Sequence, residues 1–291
     1  MKIAIHGRTF SEPAKPFIQE MFDGLASRQV EVQLSHTYRQ VLESAGIQHS
    51  SQHTYYTPQG VFDADFAFSL GGDGTLLEVV THVGARQTPI VGINTGRLGF
   101  LATVSPNEIS AMLHALFNTQ YSIDERSLVS VQSDRDVFDG LPFGLNDFTI
   151  TRTETSSMIT VHTYIDGEFL NSYWADGLII STPTGSTGYS LSCGGPVLLP
   201  HTNNFIVTPV SPHNLNVRPM VVMDTCRLSF EVESRSGSFL AALDSRSRTV
   251  DVSTRLSVQK ETFCARLVKL NADNFLNTLR SKLNWGFDIR N

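Results

Sequence analysis

The sequence predicts an α/β N-terminal domain built on a parallel sheet, followed by a mostly-β, sandwich-like C-terminal domain. Two observations carry this. Over roughly the first 120 residues short apolar runs alternate with stretches of helical period, the pattern of strand–helix–strand units. Beyond Tyr121 helical period nearly vanishes, and short strand-like runs are separated by turn residues until a last helical stretch near the C-terminus. The boundaries fall at 1–122, 123–270 and 271–291, the last a helical segment expected to pack back on the first domain.

The elements follow in order. Residues 2–6 read as a strand, and 15–27 as a helix with Phe17, Ile18, Met21, Phe22 and Leu25 on one face. Residues 30–34 are a second strand; 38–45 are a helix stopped by Gly46. Residues 66–70 form a continuous apolar strand, followed by helical period through Leu76, Leu77, Val79, Val80 and Val83. Residues 89–93 form another buried strand. Ser105 suits a helix N-cap, Pro106 the first helical position, and Glu108 completes a capping box for a helix through Phe117. This alternation gives a Rossmann-like first domain, whose ligands bind at the carboxyl ends of the strands. In the second part, 127–132, 148–151, 158–165, 177–181, 227–232, 240–243 and 263–270 read as strands, and 274–283 as the closing helix.

Composition limits the function. The chain has 291 residues, 41% hydrophobic and 17% charged, which fits a folded protein. A net charge of −6 argues against a general nucleic-acid binder and leaves a polyanionic ligand to local amides and a few cations. Cys193, Cys226 and Cys264 are widely spaced, which opposes a zinc site and suits a reducing, cytoplasmic setting. The N-terminus lacks a signal-peptide pattern, and no apolar run approaches the roughly 20 residues of a membrane span.

The densest feature is the turn Gly71-Gly72-Asp73-Gly74-Thr75 after the 66–70 strand. Glycines here let backbone approach a ligand, and the amides at the helix start face an anion, typically phosphate. A carboxylate in that place would repel phosphate. It therefore points to a proton acceptor or a metal contact. The plain alternative is a tight turn with Asp73 as helix N-cap. Asn94-Thr95-Gly96-Arg97-Leu98-Gly99-Phe100 ends the next strand at the same edge.

A second glycine-rich segment runs from Tyr173 to Ser190, with Gly177, Gly185 and Gly188 among many hydroxyls and almost no charge. Hydroxyls and free amides suit ribose, amide and phosphate groups, and Tyr189 suits a base or a ribose oxygen. Gly194-Gly195-Pro196 closes it. Asn146-Asp147 offers an amide beside a carboxylate, for adenine edges or ribose hydroxyls, or simply a turn. Asp244-Ser245-Arg246 offers a carboxylate and a guanidinium, or an ordinary hairpin end. His213 reads as structural.

Taken in order, the Gly71–Thr75 turn, the run Gly92-Ile93-Asn94-Thr95-Gly96-Arg97-Leu98-Gly99-Phe100-Leu101, Asn146-Asp147, Asp176 to Tyr189 with Gly194-Gly195-Pro196, Pro209-Val210-Ser211-Pro212-His213 and Asp244-Ser245-Arg246 resemble the NAD kinases, especially the bacterial type. The resemblance covers most of the chain from Phe66 to Trp285. It implies transfer of the terminal phosphate of ATP, with a divalent cation (Mg²⁺ or Mn²⁺), to the 2′-hydroxyl of the adenosine ribose of NAD, giving NADP. It implies Asp73 as the proton acceptor. Gly71, Gly72, Gly74 and Thr75 would form the phosphate turn. Asp73, Gly74, Asn146, Asp147, Asp176, Thr187, Gly188, Tyr189, Ser190, Leu191, Ser192 and Arg246 would contact NAD. It also implies a homodimer or homotetramer, and leaves open polyphosphate as the donor. Three positions depart from the family pattern: Asp147 stands for a common Glu, so the shorter carboxylate sits closer or reaches through water. Trp174 stands for a common Arg, so a cation contact is missing or replaced by stacking. Ser245-Arg246 stands for Gly-Gln. The turn alone is shared with lipid and sugar kinases; a lipid kinase would show an interfacial surface, which this sequence lacks. A non-catalytic NAD(P) sensor would keep the second pocket but would not need Asp73.

Overall fold

The computed structural model describes residues 1–51, 53–55, 63–96, 99–153, 157–270 and 275–286. Arg97, Leu98 and Asn274, which the sequence reading included, lie outside them. The chain divides into two compact units, Met1–Glu125 with Ala265–Asn291, and Arg126–Cys264. Among the described residues no helix is long and apolar enough to cross a membrane.

The first unit begins β1 (Lys2–Gly7), α1 (Lys15–Ser27), β2 (Glu31–Ser35), α2 (His36–Ala45), β3 (His53–Tyr55), β4 (Phe66–Gly71), α3 (Asp73–Val83), β5 (Ile90–Asn94) and α4 (Ile109–Phe117). The sheet order is β5-β4-β1-β2-β3, with all pairings parallel. β4 and β5 are buried along their whole length, the mark of strands covered on both faces. The helix ends follow local chemistry. Ser35 caps α2 through the Tyr38 amide, and Gly46 ends it in the left-handed region at φ 69°. The Ser105–Glu108 capping box is present. The core packs Ile18, Met21, Phe22 and Leu25 of α1 and Met112, Leu113 and Leu116 of α4 against Ile3, Ile5, Phe68, Val91 and Ile93 of the sheet.

The second unit is antiparallel. β6 (Tyr121–Ser133) enters it; β7 (Phe143–Gly144), β8 (Asp147–Arg152), β9 (Ile159–Ile165), β10 (Glu168–Ala175), β11 (Gly177–Ser181), a short helix α5 (Tyr189–Ser192), β12 (Asn204–Val210), β13 (Met220–Met223), β14 (Leu228–Glu233), β15 (Ser238–Leu243) and β16 (Arg246–Asp251) follow. β17 (Leu256–Leu270) leads back to the first unit, where Leu267 pairs in parallel with Ile90, and α6 (Phe275–Leu283) ends the described chain. One sheet has the order β13-β12-β11-β8-β15-β16. The strands β10, β9, β14 and the start of β17 pair in a second series. Inward residues Phe148, Ile150, Leu178, Ile180, Phe205, Val207, Phe239 and Ala241 of the first meet Ile159, Val161, Leu228, Phe230 and Val258 of the second. These inner faces account for the strand periodicity of the sequence.

Several strands escaped the sequence reading, each for a physical reason. β16 is rich in exposed polar residues, and β10 exposes the aromatics Phe169 and Trp174, so neither carries the usual apolar–polar alternation. β12 holds Pro209, yet it lies between β11 and β13, with Pro209 paired to Leu178 near the strand's end. β3 is only three residues long.

Candidate functional site

At the end of β4 the chain turns straight into α3, with Gly72 in the N-cap position and Asp73 the first helical residue. The N-cap alternative for Asp73 is thus not realised. Its carboxylate instead reaches the segment after β5. Oδ2 accepts from the Phe100 amide at 2.7 Å; Oδ1 accepts from Leu101 at 3.0 Å and Ala102 at 3.1 Å. That segment is held in place by Asn94 N–H to the Val104 carbonyl at 2.7 Å and Val104 N–H to the Gly92 carbonyl at 3.1 Å. Within the Asn94 turn, the Asn94 side chain accepts from the Gly96 amide at 2.8 Å.

Glycines shape both sides of this carboxylate. A Cβ on Gly71 would lie 2.2 Å from Thr75 Oγ1, so the buried Thr75 packs directly under the turn. A Cβ on Gly92 would lie 2.9 Å from the Ala102 Cα. A Cβ on Gly72 or Gly74 would meet no atom within 4 Å, so the outer side of the turn is open to an approaching group. The Thr75 and Leu76 amides donate to the Gly72 carbonyl at 3.1 and 3.3 Å, while the amides of Asp73 and Gly74, at the helix start, have no carbonyl one turn back among the described residues and suit an anion.

In the second unit β8 starts at Asp147 and pairs with β11, Ser181 opposite Asp147. The chain leaving β11 wraps the backbone of Asn146. The Thr182 amide donates to the Asn146 carbonyl at 2.9 Å, and the Thr182 hydroxyl donates to the Leu145 carbonyl at 2.6 Å. A Cβ on Gly185 would fall 2.1 Å from that same Asn146 carbonyl oxygen, so only glycine permits this approach. A Cβ on Gly188 would lie 4.0 Å from Asn146 Nδ2. The Tyr189 hydroxyl is pushed up, first by partial burial and then by Cys193, Asp147 and Asp176, whose charges reach it. Gly188 thus lies against Asn146, and Asp147 and Asp176 are near enough to act on Tyr189, which is exposed. Asp176 is held by Arg152 Nε at 3.0 Å.

Not every hydroxyl of the segment faces outward. Ser190 is buried, its hydroxyl 2.8 Å from that of Thr208, and the Thr187 hydroxyl donates to the Thr184 carbonyl at 3.3 Å. Ser190 thus braces the segment from within and leaves a ligand only its backbone. Leu191 is half-buried and Ser192 exposed on α5. Arg246 turns inward: its guanidinium donates to the Leu141 carbonyl at 2.7 Å and to the Phe143 carbonyl. Trp174 is 51% exposed and stacks on His213, with ring centroids 4.1 Å apart. His213 is in turn fixed by its amide to the Trp174 carbonyl.

Sequence reasoning left three contributors without a role. The amides of Phe100, Leu101 and Ala102 carry no side-chain signal. Gly99 does: a Cβ there would sit 1.9 Å from Asp73 Oδ1. The third is Asp244, whose carboxylate accepts from the amides of Leu145 at 2.9 Å, Asn146 at 2.7 Å and Asp147 at 3.2 Å. Asp147 is itself buried, and its carboxyl is pushed up to about 7 by burial and by the charge of Asp244.

Among the described residues no three His, Cys, Asp or Glu side chains gather as a metal cage. The chemistry of the glycine turn fits a divalent cation that arrives on phosphate oxygens and keeps most of its water.

Comparison with known proteins identifies the family. Residues 14–121 match the model for the ATP-NAD kinase N-terminal domain, and 145–270 that for the ATP-NAD kinase C-terminal domain. The chain is 51% identical to an NAD kinase of Cytophaga hutchinsonii and 42% identical to one of Flavobacterium psychrophilum, each over the full length of both chains. Among solved structures it is similar to an NAD kinase of Archaeoglobus fulgidus in complex with ATP (TM-score 0.74, 25% identity, 98% of this chain and 99% of that one). It shares its fold with yeast NADH kinase complexed with NADH (TM-score 0.89, 21% identity, 100% of this chain and 89% of that one).

Proposed function

The chain belongs to the NAD kinase family, phosphotransferases that act on NAD, and on that premise we propose a role for each part of the site. Asp73 takes the proton from the 2′-hydroxyl of the adenosine ribose as that oxygen attacks the terminal phosphate of ATP. The observation that carries this reading is the three-amide cradle of Asp73 beside an open glycine turn. The cradle fixes the carboxylate, and among the described residues Oδ2 has one donor only, which leaves it a lone pair for a hydroxyl. The Gly71-Gly72-Asp73-Gly74-Thr75 turn at the start of α3 receives the phosphates, with the Thr75 amide already donating to the Gly72 carbonyl at 3.1 Å. Positioning and charge compensation supply most of the acceleration in phosphoryl transfer, so the protein's work here is geometric.

Asn146, Asp147, Asp176 and Tyr189, with the backbone of Thr187, Gly188, Ser190, Leu191 and Ser192, bind the dinucleotide. An adenosine offers an amino group and hydroxyls as donors, which a carboxylate accepts. Arg246 acts on the protein side by holding the Leu141–Phe143 backbone, as its two carbonyl contacts support. A divalent cation, Mg²⁺ or Mn²⁺, would be held mainly by the donor's phosphates; when bound it neutralises charge on the transferring group. The three free cysteines suit a reducing cytoplasm. The exposed apolar side chains of Phe169 and Met223 support assembly as a homodimer or homotetramer, which sedimentation would read directly.

The test is a coupled assay of the purified protein with NAD or NADH, ATP or polyphosphate, and Mg²⁺ or Mn²⁺, reading NADP(H). The Asp73→Asn variant should keep its fold and bind NAD within about tenfold, yet lose roughly 10²–10⁴-fold in turnover. Unchanged turnover would remove Asp73 from the mechanism.

A further inference from the structure

The hairpin between β15 and β16 is two residues long, since Leu243 pairs with Arg246. Such a turn needs a left-handed residue, and Asp244 takes φ 52°, a conformation that Asp tolerates better than most side chains. The amide of Asp244 donates to the Asp147 carbonyl at 3.0 Å. Its carboxylate accepts from three successive amides, those of Leu145, Asn146 and Asp147. Arg246, two residues on, takes the Leu141 and Phe143 carbonyls. Gly144 lies between these two grips, and a Cβ there would stand 3.1 Å from Asp244 Oδ1. Every backbone group that aims the Asn146-Asp147 dipeptide is thus met either by this turn or by the Ser181-Thr182 segment.

We infer that the Asp244-Ser245-Arg246 turn is a clamp that presents Asn146 and Asp147 to NAD, with Asp244 a positioning residue. The inference rests on the proposed contact of Asn146 and Asp147 with the dinucleotide.

The electrostatics give the clamp a signature that mere support of the fold would lack. Asp147 is buried beside Asp244 of the turn, and its charge is felt at Tyr189 on α5. Burial and Asp244 together hold its carboxyl near 7. Burial pushes the Asp244 carboxyl up, against three amide donors and the nearby guanidinium, which favour its charge. NAD takes Asp147 as an acceptor, so the KM for NAD rises as pH falls through the Asp147 transition.

The experiment uses the full chain and measures KM for NAD and for ATP from about pH 5.5 to about pH 8.5, beside thermal unfolding. Asp244→Asn should raise the NAD KM by about tenfold or more, the scale of lost charge-assisted hydrogen bonds. It should leave the ATP KM within about twofold and move the acid limb of the NAD profile to lower pH. Gly144→Ala, which nudges the Asp244 carboxylate without changing a charge, should raise the NAD KM by roughly twofold to fivefold, and serves if Asp244→Asn does not fold. An unchanged NAD KM in both variants, or equal rises in both KM values with an unmoved limb, overturns the clamp. Asp147→Asn separates the two levels: the limb should vanish and the NAD KM rise. If Asp147→Asn changes neither, the assignment of the dinucleotide site itself fails. If it changes both while Asp244→Asn and Gly144→Ala do not, only the clamp fails.

Discussion

A methyl group added at Gly99 would fall 1.9 Å from Asp73 Oδ1 and 2.5 Å from the carboxyl carbon. Ordinary contacts between such atoms are above roughly 3 Å, so either the carboxylate or the 99–102 segment must shift by about 1 Å. Either shift disturbs the amide contacts at 2.7, 3.0 and 3.1 Å, because donors and acceptor no longer share one geometry. A misplacement of about 1 Å in a reacting group is worth on the order of 10²-fold in rate. Gly99→Ala should therefore lose roughly 10²-fold in kcat in the NADP-forming assay, with NAD KM changed only a few-fold. Thermal unfolding should stay close to wild type, since Gly99 adds nothing to the apolar core. A Gly99→Ala protein with kcat within about threefold of wild type would refute the claim that the amide cradle sets the position of Asp73.

Two further outcomes follow from the second unit. Gly185→Ala drives a Cβ to 2.1 Å from the Asn146 carbonyl oxygen, which is backbone and cannot swing away. It should raise the NAD KM by at least about tenfold and leave the ATP KM near wild type; equal KM values for NAD in the two proteins would contradict the close approach. The second outcome concerns pH and stability. A carboxyl raised in the folded state binds its proton more tightly there than in the unfolded chain, so its burial costs nothing at pH below the ordinary value of 3.8 and costs increasingly up to about 7. Asp147→Asn removes that cost, at most about 4 kcal/mol for a shift of this size. Urea midpoints should diverge in favour of Asp147→Asn as pH rises from about 5 to about 8, and a constant gap would argue against the buried, proton-holding state of Asp147.

How much of this was legible in the sequence depends on the reach of the interaction. Strand β4, helix α3 and the glycine turn between them are local: an apolar run, a helical period and three glycines suffice, and each is where the sequence put it. The capping box at Ser105 and the Gly46 stop are equally local. Asn146-Asp147, Asp176 and Tyr189 were legible as chemistry, but as a dipeptide here and a residue there. Their gathering depends on β8 pairing with β11, a pairing between residues about thirty positions apart in sequence.

The sequence by itself determined the two periodicities, hence the two kinds of unit, and the residue types able to hold phosphate, ribose and a proton. Tertiary structure alone decided which groups are spent inside the protein. Ser190 and Arg246 looked ligand-facing and are bonded inward, because a buried hydroxyl or guanidinium must find a protein partner. Asp73 and Asp244, read as a base and a turn residue, each gather three amides of a distant loop. Backbone amides are the same in every residue and leave no trace in a sequence. Only the fold shows which carboxylate they reach.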